Sequence, residues 1–231
     1  MTDGAHGNTC EDQATQTYRK PTMARKTHSS PEQARKVILD AAEKLMIEVG
    51  PAGLRISAVA KKAGMAHPNI IHHFGSRDGL INALSERVGQ RSTDRVTEAI
   101  KKATSAAPED RVAAMTHVLD TAYPGDEGKA AVWLHLSGTD SSLKQNMERI
   151  VKLSHDLRQS IDPDAHLDNT NRLVILVTLA LVGEVVSGHG VKGALGFGDD
   201  DKNRPYFRRW LSEILLNLSD EQLNTSLSKA L

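Results

Sequence analysis

The stretch from Ile56 to Leu80, ISAVAKKAGMAHPNIIHHFGSRDGL, gathers side chains whose types and spacing suit the recognition of a polyanion. Lys61, Lys62 and Arg77 are cations of the kind that meet phosphate oxygens, which set the position of a protein on a duplex without reading its sequence. Asn69 carries a donor and an acceptor on one amide and can pair with both polar atoms on the major-groove edge of adenine. His67 and His72 flank it, so these three are the candidates for contacts at or near bases. His73 is a candidate for phosphate or for packing beside Phe74. The alternative for each is a solvated polar helix face. Arg25 and Lys26 could form a basic arm toward DNA or could belong to an idle tail.

Other constellations carry less. Gly188-x-Gly190-x-x-Gly193 spells a dinucleotide fingerprint, but a helical pattern precedes it where a strand would be required. Asp162, Asp164, His166 and Asp168 alternate like loop metal ligands, and a polar turn with a cap at Asp168 accounts for them equally well. His72 and His73 are adjacent and diverge by about 100° on a helix, a poor geometry for one metal ion. No nucleophile, base and orienting group come together, so neither an enzyme nor a metal or other cofactor is expected.

The elements that hold these residues follow from caps and periodicity. Ser30-Pro31-Glu32-Gln33 starts a helix by the capping-box rule, Val37 to Val49 repeat with helical period, and Gly50-Pro51 ends it. Ser57 is the expected cap of a short helix through Ala63, Gly64 breaks it, and a third helix follows from His67 to Phe74. Two short helices joined by a glycine turn, with the small Ala60 where they cross, meet the steric demands of a helix-turn-helix. Ser76 caps a longer helix into the low 100s.

The charge distribution agrees with this placement. Among 231 residues the net charge is zero, yet residues 19–95 hold 14 basic and 7 acidic side chains while residues 96–231 hold 15 and 19. A basic module joined to a mildly acidic one is the asymmetry expected when one part meets a polyanion. Residues 1–29 lack apolar periodicity and read as a disordered tail. The one cysteine, Cys10, permits no intrachain disulfide. The N-terminus lacks a signal-peptide core, and the apolar run from Leu173 to Val182 is too short for a bilayer, so a cytoplasmic protein with no membrane partner is expected.

The run Gly64-Met65-Ala66-His67-Pro68-Asn69-Ile70-Ile71-His72-His73-Phe74-Gly75-Ser76-Arg77-Asp78-Gly79-Leu80 resembles the signature of the TetR family of bacterial transcriptional regulators, with a matching helix from Ile38 to Gly50 ahead of it. The resemblance covers about Gln33 to Leu84. It implies an all-α homodimer with an N-terminal three-helix DNA-binding domain and a C-terminal helical domain for ligand binding and dimerisation, often a repressor released by a small molecule. Three positions depart from the family pattern: Ala66 stands where Ser or Thr caps the recognition helix, Asn69 where Thr is common, and Ile71 where a phosphate-contacting Tyr is common. Arg77 takes the usual place of a phosphate-binding lysine.

The remaining sequence reads as helix throughout, giving an all-α chain divided into a tail (1–29), a helix-turn-helix domain (30–76) and a ligand and dimer domain (77–231). Helices are expected from Pro108, over about Glu127–Ser137, Ser142–Ile161 and Asp168–Ser187, then a glycine-rich loop from Gly188 to Gly198 and a last helix over about Arg204–Leu218. Met115, Leu119, Trp133, Leu136, Met147 and Val151 are the candidate pocket residues, with ordinary core packing as the alternative. The stretch Asp168–Ser187 is apolar nearly all round and needs cover on most sides. Val174, Leu181 and Val185, with Tyr206, Trp210 and Ile214, are the candidate dimer interface. The expected partners are thus a palindromic double-stranded operator, a small-molecule effector and a second copy of the chain. The competing expectation is a constitutive DNA-binding dimer with no effector.

Overall fold

The computed structural model describes residues 30–136, 143–196 and 204–228, without the side chains of residues 135–136, 204–206 and 225–228. The expected tail with Arg25 and Lys26, and the side chains of Leu136 and Tyr206, lie outside the described residues. Helices α1 (Pro31–Val49), α2 (Ile56–Ala63), α3 (His67–Phe74) and α4 (Arg77–Thr104) come first, followed by α5 (Arg111–Ala122), α6 (Gly125–Leu136), α7 (Leu143–Gln159), α8 (Leu167–Ala194), α9 (Arg204–Asn217) and α10 (Asp220–Ser228). No strand occurs among the described residues, so the fold is all-α, with a helix-turn-helix domain at the N-terminus and a helical domain after it.

Caps set the first boundaries. Ser30 Oγ accepts from the Gln33 N–H at 3.2 Å, Pro31 opens α1, and Ser76 Oγ accepts from the Gly79 N–H at 3.0 Å to start α4. A Cβ at Gly79 would lie 2.0 Å from the carbonyl oxygen of Phe74, so only glycine lets the end of α3 approach the start of α4 this closely. At α2 the cap lies two residues before the expected one. Arg55 occupies the N-cap without a side-chain bond and Ser57 lies inside the helix, because Ile56 must turn in to pack against the N-terminal core.

That core joins Ile38, Ala42 and Met46 of α1 to Val59 and Ala60 of α2, Ile70 and Phe74 of α3, and Leu80, Leu84 and Val88 of α4. It does not stop where residue 77 begins the second segment, since Ala130 and Leu134 of α6 complete it. At about 1.5 Å per residue α4 is roughly 42 Å long, enough to run from this core into the second one. There Val96, Ala99, Ile100 and Ala103 meet Val118 of α5 and Leu157 of α7. Helices α5, α8 and α9 share a third cluster around Leu119, Leu181 and Leu211.

Two expectations for the C-terminal half are corrected. The glycine-rich segment expected as a loop from Gly188 is helical through Ala194, making α8 28 residues long. The glycines do not break it because the backbone bonds continue to residues 195 and 196, where Gly196 at φ +77° ends the turn. By length and composition alone α8, with an 18-residue window of mean hydropathy 1.9, is also long and apolar enough to cross a bilayer, contrary to the sequence expectation. A helix α10 after Ser219 was not expected at all.

Candidate nucleic-acid interface and internal cavity

The turn between α2 and α3 is built on Gly64, at φ +66° and ψ +29°, whose N–H bonds back to Ala60 and Lys61 while the Met65 N–H reaches the Ala60 carbonyl at 3.0 Å. This closure of the helix end suits glycine, since an L side chain is disfavoured in that conformation. Ala60, nearly fully buried, sits where the two helices come together. On α3, Ile70 and Phe74 point into the core, and at 100° per residue this turns Pro68, Asn69 and His72 to the opposite side, where all three are exposed. His67 is exposed at the N-terminal end of α3, where Ala66 takes the N-cap without a side-chain bond, and Ile71 is exposed beside them. The expected base-reading residues therefore share one accessible end and face of α3.

The expected phosphate contacts differ in their freedom. Lys61 is exposed on α2. Lys62, the next residue, is held by Glu48 of α1, with Nζ 2.7 Å from Oε1. Arg77 donates through Nε to the Leu54 carbonyl at 3.0 Å and through Nη2 to the Pro51 carbonyl at 3.3 Å, so its guanidinium ties α4 to the turn before α2 and leaves Nη1 beside Asp78. His73 packs its ring edge-on to His72, with centroids 5.4 Å apart, and is half-buried.

Arg35 is a residue that the sequence reading missed. Its Nη1 donates to the His73 carbonyl at 2.6 Å and its guanidinium lies 4.4 Å from the centre of the Phe74 ring. A cation at the last carbonyls of α3 complements the helix dipole and fixes α3 against α1. No local pattern marks this role, because the partners are 38 residues apart.

Behind the DNA-side core lies a cavity of about 200 Å³ lined by α4, α5, α6, α7 and α8, with Leu215 of α9 at its edge. Met115, Leu119 and Met147, expected at a pocket, line it. Val151 does not, and Trp133 is 52% exposed on α6, because Ala131 and Leu134 take the cavity-facing positions of that helix. The cavity wall instead includes Val88 and Thr93 of α4, Tyr123 at the end of α5, and Val174, Val177 and Leu181 of α8. Burial raises the Tyr123 phenol above its ordinary value, which keeps it protonated at neutral pH.

Val174 and Leu181, expected at a dimer interface, thus face inward, and Val185 is half-buried between the two sides of α8. The outward side carries Ile175, Leu176, Leu179 and Val186, each at least half exposed. Its C-terminal part continues into a groove of about 500 Å³ between α8 and α9, lined by Val191, Leu195, Phe207 and Trp210. Ile214 is half-buried on α9. Beneath the groove, Glu184 is held by Arg208 at 2.8 Å and Lys192 at 3.4 Å.

Residues 38–84 match the model of the bacterial regulatory proteins of the tetR family. The HTH-type transcriptional repressor Rv3405c of Mycobacterium tuberculosis is 34% identical over 77 residues, covering 33% of this chain and 41% of that protein. The HTH-type transcriptional regulator BetI of Rhizobium meliloti is 30% identical over 100 residues, 43% of this chain and 48% of its own length. The matched segments therefore span less than half of these relatives, which are named as regulators of transcription rather than as enzymes. The multidrug binding protein EbrR, in complex with imidazole, superposes with a TM-score of 0.56 at 18% identity over 80% of this chain and 96% of its own, a likeness of fold.

Proposed function

We infer, for a chain whose N-terminal segment belongs to the tetR family of bacterial regulatory proteins, that it is a sequence-specific DNA-binding regulator of transcription, acting as a repressor that a small molecule releases. The observation that carries this reading is the seating of α3. Its polar side with Asn69 and His72 is free to enter a major groove, while its apolar side rests on Leu80 and Leu84 of α4. The next turns of that helix, at Val88, Thr93 and Val96, wall the cavity. A ligand that prefers one setting of α4 would move the recognition helix.

Asn69, His67 and His72 read bases in this proposal, and Lys61 with the free parts of Lys62, His73 and Arg77 meets phosphate. The cavity is the effector site in this proposal, in keeping with the shared fold of EbrR, a multidrug binding protein complexed with imidazole. Two copies pair through the outward side of α8 and the groove beside α9, because an apolar surface of that extent is seldom left to water. The same pairing covers α8, so its apolar character needs no membrane, and the protein works in the cytoplasm on its operator. A dimer of this kind reads two half-sites about 34 Å apart. Selection of operator sequences from random duplex DNA by the purified chain tests the reading: a palindromic consensus is expected, and enrichment of no sequence would refute it.

A further inference from the structure

Resting on the reading of the cavity as an effector site, the geometry points to a ligand class: an uncharged, largely hydrocarbon molecule bearing one or two oxygen functions, with organic cations and anions excluded. Among the described residues, no Asp or Glu lines the cavity. A cation placed there would lose its hydration with no carboxylate to offset it, and desolvation of an unpaired ion costs far more than burial of a neutral polar group. Aromatic compensation is also sparse, since among the described residues Tyr123 is the one aromatic side chain of the wall and a cage for an ammonium needs several faces.

The one charged wall residue among those described is already neutralised. Arg158 of α7 pairs through Nη2 with the nearly buried Asp220 of α10, and its Nη1 donates to Thr170 Oγ1 at 2.9 Å and to the His166 carbonyl at 3.4 Å. The His166 N–H also donates to the other oxygen of Asp220. An anionic ligand would have to displace a carboxylate held from two directions. What remains for a ligand is a hydrocarbon wall with scattered neutral groups: the hydroxyls of Ser85, Thr93, Ser154 and Thr178 and the phenol of Tyr123. Such groups can donate to, or accept from, an alcohol, ketone or ester oxygen without a counter-charge.

Three probes of one chain length separate the classes: 1-octanol, octanoate and octyltrimethylammonium, each titrated into the full chain by calorimetry and scored by the shift in melting temperature. Octanol is expected to bind at least tenfold more tightly than either ion. Val174→Phe, which adds volume at the cavity wall, should abolish octanol binding while the variant keeps its helical content and a cooperative melt, and that places the probe in the cavity rather than in the groove between α8 and α9. Asn146→Asp should raise octyltrimethylammonium affinity at least tenfold by supplying the missing carboxylate. The proposal is overturned if either ion binds as well as octanol, if none of the three binds, or if octanol binding survives in a folded Val174→Phe variant. Octanol that binds the cavity and leaves operator affinity unchanged would refute release by ligand and leave the ligand class standing.

Discussion

Val88 of α4 and Leu134 of α6 belong at once to the core that seats the recognition helix and to the wall of the cavity, and both are buried. No spacer separates the two regions at this point, so a change of cavity shape acts on atoms that touch the DNA-side core. Around them, ion pairs join the same helices: Arg87 to Asp40, Arg91 to Glu43, and Arg95 to Glu127 at 3.0 Å, linking α1, α4 and α6. This is a physical route for coupling, whose size must be measured as a change in affinity.

Leu134→Ala should cost about 3 kcal/mol of stability, the usual range for a buried leucine truncated in a packed core. Given an effector, it should also shrink the ratio of operator affinities with and without that effector, because the shared wall becomes compliant. Denaturant unfolding and operator titrations on the same variant check both effects. An unchanged ratio in a destabilised variant would remove Leu134 from the coupling.

Asn69→Ala should weaken specific binding by about 1 to 3 kcal/mol and relax preference at one base per half-site. Lys61→Ala should weaken all sequences alike and reduce the salt slope by about one unit. Lys62→Ala should do less, because Glu48 already holds that ammonium. Titrations at several salt concentrations distinguish the three.

Arg35→Met removes the cation that binds the His73 carbonyl and covers Phe74 while keeping much of the side-chain bulk. A loss of about 1 kcal/mol in stability is expected from the two contacts. Operator affinity should fall with unchanged base preference, since α3 is loosened and its reading side is intact. A shift in the selected consensus would instead place Arg35 at the bases.

Leu179→Asp introduces a charge on the outward side of α8, where the native leucine is 66% exposed in the single chain. The expected outcome is a folded monomer in sedimentation at micromolar concentration, with operator affinity reduced at least tenfold through the loss of the second half-site contact. A dimer retained in this variant would move the interface elsewhere.

Asp220 should govern acid stability. Burial alone would raise its carboxyl, but the His166 N–H, the hydrogen bonds from Arg158 and Asn169, and the Arg158 charge outweigh burial and hold it below the ordinary aspartate value. A group depressed in the folded state contributes stability above its unfolded value and loses it as pH falls through the folded one. The contribution is therefore whole at neutral pH and fades below about pH 4. Asp220→Asn should cost about 3 kcal/mol at pH 7, as expected on removing one partner of a buried pair. It should cost progressively less in the acid limb, as followed by thermal melts across that range.

The helix-turn-helix was legible because its signals are local: a capping serine three residues before its N–H partner, a glycine at a left-handed turn, and apolar residues at helical spacing between them. Side chains at such short range have few alternative arrangements, so residue types alone placed Asn69 and His72 on the outward side of α3. The placement of charge partners was not legible, since Lys62 with Glu48, Arg77 with Leu54 and Arg35 with His73 meet only when separate helices pack. Helix α8 shows the limit most clearly. With apolar residues on nearly every side, its sequence specified a buried helix and no rotation, and Val174 and Leu181 were as eligible for the outside as Ile175 and Leu179. The packing of α5, α6 and α7 against it decided which line of side chains walls a cavity and which is left for a second copy, because orientation is set by the shape of neighbouring helices when the helix itself has no polar side to turn toward water.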